Sequence, residues 1–561
     1  MKKSGIVKLI MNFKYKAIFC SISAVIQSVT LIMAPIVIGN IIDEIIMRSS
    51  ILNDILILVF IYILNMIAAL KLNQNAYYIS CKISKKLRSE LYDKVNKIKL
   101  QEIDKVSNGD ILNLFSADVE NVAYGISQLI ITVISGIASM IGILILMYKM
   151  NVIMATLVLL SAPIAYITSK FITKNSKKYY KERAKLTANL NGYTENIINN
   201  HKLIKDFNYE ENAINRFKNI NSKLNNIGVK AQFYSSLANP VSRLVNNISY
   251  ILIGITGVIL SKTGEFTLGN LSTFLLYTNT FARPFNEITA IISEIQICNA
   301  SYSRITEFLN KEDEYSVQND AKINGGEVEF KDIEFSYVPG KKFITDFNLN
   351  VKDHEKIAIV GKTGAGKTTI VNLLMRFYDI NKGSILIDGI SIQNIPLDVL
   401  RRNIGMVLQD TKLFMGTIRE NIAYGKENAT YEEIVEAAKL AHADKFIQRL
   451  SHGYDTFISN EEMLSKGEVQ LLTIARVMLL KPRIVILDEA TSNVDLETEK
   501  LVQNAFEKLM VNATSFVIAH RLETIKNADR IIYIENGNIV EQGTHEELIK
   551  LNGKYSKMNY K

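Results

Sequence analysis

Six long apolar stretches punctuate the first 300 residues, at 17–41, 52–70, 127–148, 152–172, 245–261 and 266–290. Each is long enough, or nearly so, to cross a hydrocarbon core of about 30 Å as a helix. Lipid offers no partner to a backbone N–H or C=O, so such stretches close their hydrogen bonds within helices, and isolated prolines such as Pro35 and Pro163 are tolerated there. Charged residues are nevertheless 22% of the chain against 48% hydrophobic. A membrane part joined to a soluble part reconciles the two figures, and 561 residues exceed what one core organises.

The net charge of +9 points to the positive-inside bias of a membrane protein rather than to nucleic acid, because Lys and Arg cluster beside the apolar segments. Lys2, Lys3, Lys8, Lys14 and Lys16 precede the first stretch. Lys82, Lys85, Lys86, Arg88, Lys94 and Lys97 follow the second, and Lys174, Lys177, Lys178, Lys181 and Arg183 follow the fourth. The other connections, 42–51, 149–151 and 262–265, are short. The expectation is six spans with both ends cytoplasmic, in a cell membrane and in contact with its lipid. The first apolar run has no small-residue cleavage signature, so it reads as a retained span. Cys20, Cys81 and Cys298 fit neither a metal site nor a disulfide framework.

The two long cytoplasmic connections carry helical periodicity, so the spanning helices are expected to continue beyond the membrane and reverse at their far ends. One reversal is placed near Asn108-Gly109-Asp110, followed by 111–119, and the other near 194–207. Polar residues within the spans are candidates for a transport path, namely Gln27, Ser28, Thr30, Asn65, Thr273, Tyr277, Thr278, Asn279, Thr280, Arg283 and Glu287. The fold class expected is an α-helical membrane domain (1–309), a charged, glycine-ended linker (310–326) and a soluble α/β domain (327–561), whose P-loop and strand-end acids, described next, make it an expected ATPase.

Within the last part, Gly361-Lys362-Thr363-Gly364-Ala365-Gly366-Lys367-Thr368 follows the apolar run Ile357–Val360 and leads into Thr369–Met375. Strand, glycine-rich loop and helix in that order form a phosphate cradle: glycines turn backbone N–H groups inward and the helix N-terminus adds partial positive charge. Lys367 is placed to reach the β- and γ-phosphates, and Thr368 to offer a hydroxyl to Mg²⁺. About 120 residues later, Ile484–Leu487 ends in Asp488 and Glu489. Asp488 suits the metal, and Glu489 can polarise an attacking water.

Leu464-Ser465-Lys466-Gly467-Glu468 resembles the signature sequence of ATP-binding cassette (ABC) proteins. Other elements occur in that family's order. Tyr337 stands where the family has an aromatic residue that stacks on adenine, and Gln409 follows the strand Ile404–Leu408 as in its Q-loop. Ser492-Asn493-Val494-Asp495 resembles its D-loop, and His520 its switch histidine. Six spans ahead of one cassette look like an ABC exporter half-transporter. The resemblance implies ATP and Mg²⁺ as cofactors. Nucleotide would be held by Tyr337, Gly361–Thr369, Ser465, Gly467 and Asp495, the metal by Thr368, Gln409 and Asp488, and Glu489, His520 and Gln409 would serve catalysis. It also implies a dimer, in which each ATP lies between one subunit's P-loop and the other's signature. The runs at 111–119 and 195–206 would be coupling helices.

The usual signature is Leu-Ser-Gly-Gly-Gln. Here Lys466 and Glu468 replace Gly and Gln, and Val469 follows where the family has a basic residue. Such asymmetry is similar to heterodimeric exporters, so a second, different half-transporter is the expected partner, with a homodimer as the alternative. The cargo, whether drug, lipid or peptide, is not legible. An ATP-gated channel or regulatory protein and an exporter-fold importer of a metal chelate are the competing readings. No peptidase domain precedes the first span, which speaks against a leader-cleaving peptide exporter.

Overall fold

A computed structural model describes residues 9, 11, 13–262, 266–338, 340–408, 411–459, 463–488, 496–518 and 522–558. Within these, side chains at 161–163, 165–166, 169–171, 173–175, 238–239, 242, 282–290, 292–293, 496 and 523 are not described. The chain divides into two compact units, Met1–Asn96 with Asn108–Lys311, and Lys97–Ser107 with Glu312–Lys561.

The first unit is helical. Its helices are α1 (Lys14–Met47), α2 (Leu52–Val95), α4 (Asn108–Asn113), α5 (Val119–Gln128), α6 (Ile134–Met150), α7 (Val152–Asn199), α8 (His201–Asp206), α9 (Glu210–Ser236), α10 (Ala238–Lys262) and α11 (Leu268–Leu309), and α3 (Leu100–Ile103) belongs to the second unit. Two π-helical segments, Leu114–Asp118 and Leu129–Val133, join α4 to α5 and α5 to α6. By length and composition, four stretches among the described residues could cross a membrane: Lys14–Met47, Leu52–Val95, Asn108–Met150 and Arg243–Lys262. The fourth and sixth expected spans fall in α7 and α11, whose side chains are only partly described.

Where α1 meets α11, small residues allow close approach and hydroxyls satisfy the backbone around a proline. Pro35 lies inside α1 and removes one helical donor. Thr273 donates to the Pro35 carbonyl at 3.0 Å, and the Tyr277 hydroxyl donates to the Ile32 carbonyl at 2.8 Å. Asp43 accepts from the Gly269 N–H and the Thr267 hydroxyl, both at 2.7 Å. Thr278 donates back to the Phe274 carbonyl, and Asn65 donates to Thr30 and to the Gln27 carbonyl. Thr273, Tyr277 and Thr278, expected as path candidates, are therefore buried groups that bond backbone. The Gln27 side-chain oxygen differs, being buried without a hydrogen-bond partner among the described residues. The side chains of Arg283 and Glu287 lie outside the described residues.

The first reversal comes earlier than expected. Helix α2 ends at Val95, the connection contains the one-turn α3, and Asn108 already begins the next helix. The polar Asn108-Gly109-Asp110 suggests a turn, but Asp110 sits in the first turn of α4, where an acidic side chain complements the helix dipole. The 111–119 run is thus the start of a returning helix. The second reversal spans the end of α7 and the start of α9 around α8, and Asn208, at φ 48°, supplies its left-handed residue.

The second unit is built on two sheets. One is ordered β2 (Ile344–Val351), β1 (Val328–Phe335), β4 (Lys382–Ile387) and β5 (Ile390–Ser391), all antiparallel. The other is ordered β12 (Asn538–Gly543), β11 (Arg530–Glu535), β3 (Lys356–Val360), β10 (Thr514–Ile518), β9 (Ile484–Asp488) and β6 (Ile404–Val407). It is parallel except for its edge strand β12. A small hairpin pairs β7 (Gly416–Thr417) with β8 (Phe457–Ile458).

Its central strands read as unbroken apolar runs because both faces are buried. Ile357, Ile359, Ile484, Ile486, Phe516 and Ile518 join the core shared with the antiparallel sheet. Their alternate neighbours Ala358, Val360, Val485, Leu487 and Val517 join a second core with the helices on the other side. At the unit's start, Asp388 accepts from the backbone N–H groups of Asn324, Gly325 and Glu327, which fastens the segment expected as a linker.

Candidate nucleotide site

Strand register brings the two halves of the expected site to one edge. Ile518 of β10 is level with Ile359 of β3 on one side and with Asp488 of β9 on the other. Asp488 therefore ends its strand abreast of the last turnless residues before Gly361. This is the carboxyl edge of a parallel sheet, where such folds bind ligands.

From β3 the chain enters the loop Gly361–Gly366 and then α12 (Lys367–Leu374). Two glycines are required here for different reasons. A Cβ at Gly361 would lie 2.3 Å from the Ile534 carbonyl oxygen, so the loop crosses β11 too closely for any side chain. Gly366, at φ 109°, has the left-handed conformation that opens α12.

Lys367 is buried, and its ammonium donates to the carbonyls of Gly361 (2.6 Å) and Lys362 (3.2 Å). Burial pushes its pKa down, and the Asp488 carboxylate opposes that shift. The two residues thus feel each other across β10. Thr368 is exposed on the first turn of α12, while Thr369 is buried and accepts from the Tyr337 hydroxyl at 2.9 Å. Tyr337, 40% exposed, sits in an aromatic cluster with Phe335 (4.8 Å), Phe343 (5.9 Å) and Tyr378 (5.2 Å). A half-open ring is thus anchored beside the loop by its own hydroxyl. The donor-lined loop, a buried lysine, an exposed hydroxyl and a carboxylate at one edge fit a magnesium nucleotide.

The signature opens α13 (Lys466–Leu480). Ser465 caps it, accepting from the Glu468 N–H at 3.3 Å, while Glu468 accepts from the Ser465 N–H (2.8 Å) and hydroxyl (2.9 Å). This reciprocal capping box satisfies orphan donors of the helix start. Ser465 and Lys466 are exposed and Gly467 is buried. Strands β6, β9 and β10 end just before Gln409, Glu489 and His520. Those three residues and Asp495 lie outside the described residues. Sequence reasoning overlooked Tyr378, which carries no motif and is recognised only by packing against Tyr337.

A helical, membrane-type unit fused to a P-loop α/β unit with an α-helical signature insertion defines an ATP-driven membrane transporter. The family described as ABC transporter transmembrane region matches residues 17–285, and that described as ABC transporter matches 344–492. A fatty acid ABC transporter ATP-binding/permease protein of Mycobacterium tuberculosis is 38% identical over 476 residues, covering 84% of this chain and 75% of that protein. An uncharacterised ABC transporter ATP-binding protein of Bacillus subtilis is 36% identical, covering 96% and 90%. An ATP-dependent lipid A-core flippase of Yersinia pestis is 32% identical, covering 86% and 84%. A bacterial Atm1-family ABC exporter solved with ATP bound shares the fold, with a TM-score of 0.80 at 24% identity and coverage of 99% and 98%. The chain belongs to the ABC transporter family. It is an exporter-type half-transporter, an ATPase that drives export across a membrane.

Proposed function

We propose that this chain moves an acyl-chain amphiphile outward across the cell membrane as one half of a dimer. The observation that carries this reading is the convergence of the Gly361–Thr369 loop, buried Lys367 and Asp488 on one sheet edge. Fatty acid and lipid A-core are named for two relatives, which favours a lipid over a drug or a peptide. Bound Mg²⁺ supplies charge neutralisation at the phosphates; Thr368 and Asp488, with Gln409, are the residues that would hold it. Tyr337 offers its face to adenine, and Lys367 orients the phosphates. Glu489 takes a proton from water, His520 and Gln409 support it, and Asp495 helps hold the nucleotide. Ser465 and Gly467 complete the partner's site.

Because Glu468 adds a negative charge to the signature's first turn, a different half-transporter with an unaltered signature suits this chain better than a second copy. In this reading both termini and the ATPase unit face the cytosol, as the Lys and Arg bias of the connections supports. In inverted vesicles, ATP should drive accumulation of a fluorescent long-chain fatty acid, and Lys367→Ala should abolish it. Accumulation of a peptide or drug probe but no lipid would refute the cargo class. ATP-driven efflux from the vesicles would refute the direction, and ATP-gated flux without accumulation would favour a channel.

A further inference from the structure

Helices α1 and α2 pack along one another, and their lysine-rich ends meet at a positive charge that the protein does not balance. Residues 14–42 of α1 and 55–89 of α2 contain no Asp or Glu. The first carboxylate further along α2, Glu90, pairs with Lys86 at 3.7 Å, and Glu120 of α5 pairs with Arg88 at 2.5 Å. Lys16 and Lys82 form no ion pair among the described residues. Both are drawn instead to one ring. Lys16 Nζ lies 5.3 Å and Lys82 Nζ 5.5 Å from the centroid of Tyr78, within the range of cation–π attraction. Lys16 also donates to Asn75 Oδ1 at 3.1 Å. Asn75 is buried, and its amide donates to the Lys71 carbonyl at 2.7 Å, so it is a fixed post that holds the α1 lysine at the seam of the two helices. Like charges gathered without a counter-charge repel each other, and they draw an anion to the site.

Helical spacing shows what kind of anion fits. Ile67, Lys71, Gln74, Tyr78 and Lys82 recur at intervals of three or four residues, so they share one face of α2, and all five are exposed. Phe60 and Ile63, also exposed, continue that face into the apolar run 52–70. Side chains on a helix lean towards its N-terminus, so Lys82 reaches back over Tyr78 in the direction of the apolar part. Cations and an aromatic ring thus adjoin a strip of lipid-compatible surface. A soluble anion would use only the cations, whereas a phospholipid uses both. A zwitterionic head group brings a cation of its own to the lysines, and an anionic one does not.

We propose that Lys16, Tyr78 and Lys82 form a head-group site for an anionic phospholipid of the surrounding leaflet, with its acyl chains along Phe60, Ile63 and Ile67. The two ammonium groups take the phosphate, and Asn75 keeps Lys16 in place. The inference needs α1 and α2 to span a membrane, and it is independent of the cargo and of the direction of transport.

The chain contains no tryptophan, so Tyr78→Trp puts a sole indole at the site and keeps an aromatic face for the lysines. The test places this variant in phosphatidylcholine vesicles and titrates in phosphatidylglycerol or phosphatidylcholine brominated near the head group. Brominated phosphatidylglycerol should half-quench the indole at a mole fraction at least about fivefold lower than brominated phosphatidylcholine, the ratio expected from one lysine at a membrane surface. Adding Lys16→Gln and Lys82→Gln should bring the two lipids to within about twofold of each other. Lys177→Gln with Lys181→Gln, which removes the same charge from α7, should keep the preference. All variants should melt with the parent chain in phosphatidylcholine. Native mass spectrometry of the chain with Tyr78 retained should show phosphatidylglycerol carried in preference to phosphatidylcholine, and Lys16→Gln with Lys82→Gln should lose that preference. Equal quenching by the two lipids before any lysine is changed would overturn the proposal, as would an equal loss in the Lys177→Gln/Lys181→Gln variant, which would show diffuse surface charge at work. Relief of the phosphatidylglycerol quenching by inorganic phosphate would assign the lysines to a soluble anion and overturn the lipid site.

Discussion

Replacing Gly39 by Ala should destabilise the helical unit, while the same replacement at Gly192 or Gly228 should stabilise it. A Cβ on Gly39 would stand 2.1 Å from the Thr273 hydroxyl and 2.7 Å from the Gly269 carbonyl oxygen. The hydroxyl can rotate away, but it then leaves the Pro35 carbonyl it bonds at 3.0 Å, at about 1 kcal/mol for a buried acceptor left unpaired. The Gly269 backbone cannot rotate, because its N–H is held by Asp43 at 2.7 Å. Helices α1 and α11 must therefore separate, and overpacking of this kind costs about 1–3 kcal/mol. Alanine's better helix propensity offsets about 1 kcal/mol, which leaves a net loss of about 1–3 kcal/mol. At Gly192 and Gly228 nothing lies within 4 Å of the new Cβ, so the propensity gain of up to about 1 kcal/mol acts alone. At roughly 2–4 °C per kcal/mol for units of this size, scanning fluorimetry in one detergent should show a drop of several degrees for Gly39→Ala and a small rise for the controls. Equal melting temperatures for Gly39→Ala and wild type would refute the close-packed crossing.

Other predictions address the nucleotide site and its surroundings. Glu468→Gln keeps the Ser465 cap but removes a charge from the helix start, so the half-maximal ATP concentration for ATPase should fall by about two- to fivefold; Glu468→Ala should instead lower thermal stability by about 1 kcal/mol through loss of the reciprocal bonds to the Ser465 N–H and hydroxyl. Tyr337→Ala should raise the half-maximal ATP concentration about tenfold, from loss of stacking area, whereas Tyr337→Phe, which gives up only the bond to Thr369, should change it little. Asp118 is buried and held by Arg304 and Ser301, with the Arg304 Nε at 3.0 Å. Asp118→Asn should cost about 1.5 kcal/mol in thermal melts of the full chain, because the half-exposed Arg304 stays hydrated when the charge is removed. Tyr555 is buried against His545 at 2.7 Å, and burial pushes its hydroxyl up to about 12. A pKa raised on folding contributes stability that is complete below about pH 10 and is lost as pH rises towards 12. Alkaline melts should show that loss, and Tyr555→Phe should reduce it.

Much of the architecture can be read from the chain because its signals are local. Apolar length dictates helices where lipid is the solvent, and continuous apolar runs such as Ile484–Leu487 dictate buried strands. The loop Gly361–Thr368 needs its glycines for backbone geometry that neighbouring residues already announce. The family resemblance likewise rests on short motifs, each contained in one turn or strand end. What those signals leave open depends on neighbours distant in sequence. Asp488 comes level with the phosphate loop only through the register of β10, and Gly361 is forced by a carbonyl of β11, far along the chain. Thr273 and Tyr277 look like path residues by polarity, yet the close crossing of α1 and α11 directs them to backbone carbonyls around Pro35. The first reversal is misplaced from sequence because Asn108-Gly109-Asp110 can begin a helix as well as turn a chain. What settles it is Ile98 and Lys99 pairing with Asp313 and Glu312, more than 200 residues away. Residue types and spacing decide which elements form. Packing decides which polar groups are left to act, because a hydrogen bond already satisfied inside the protein is no longer available to a ligand.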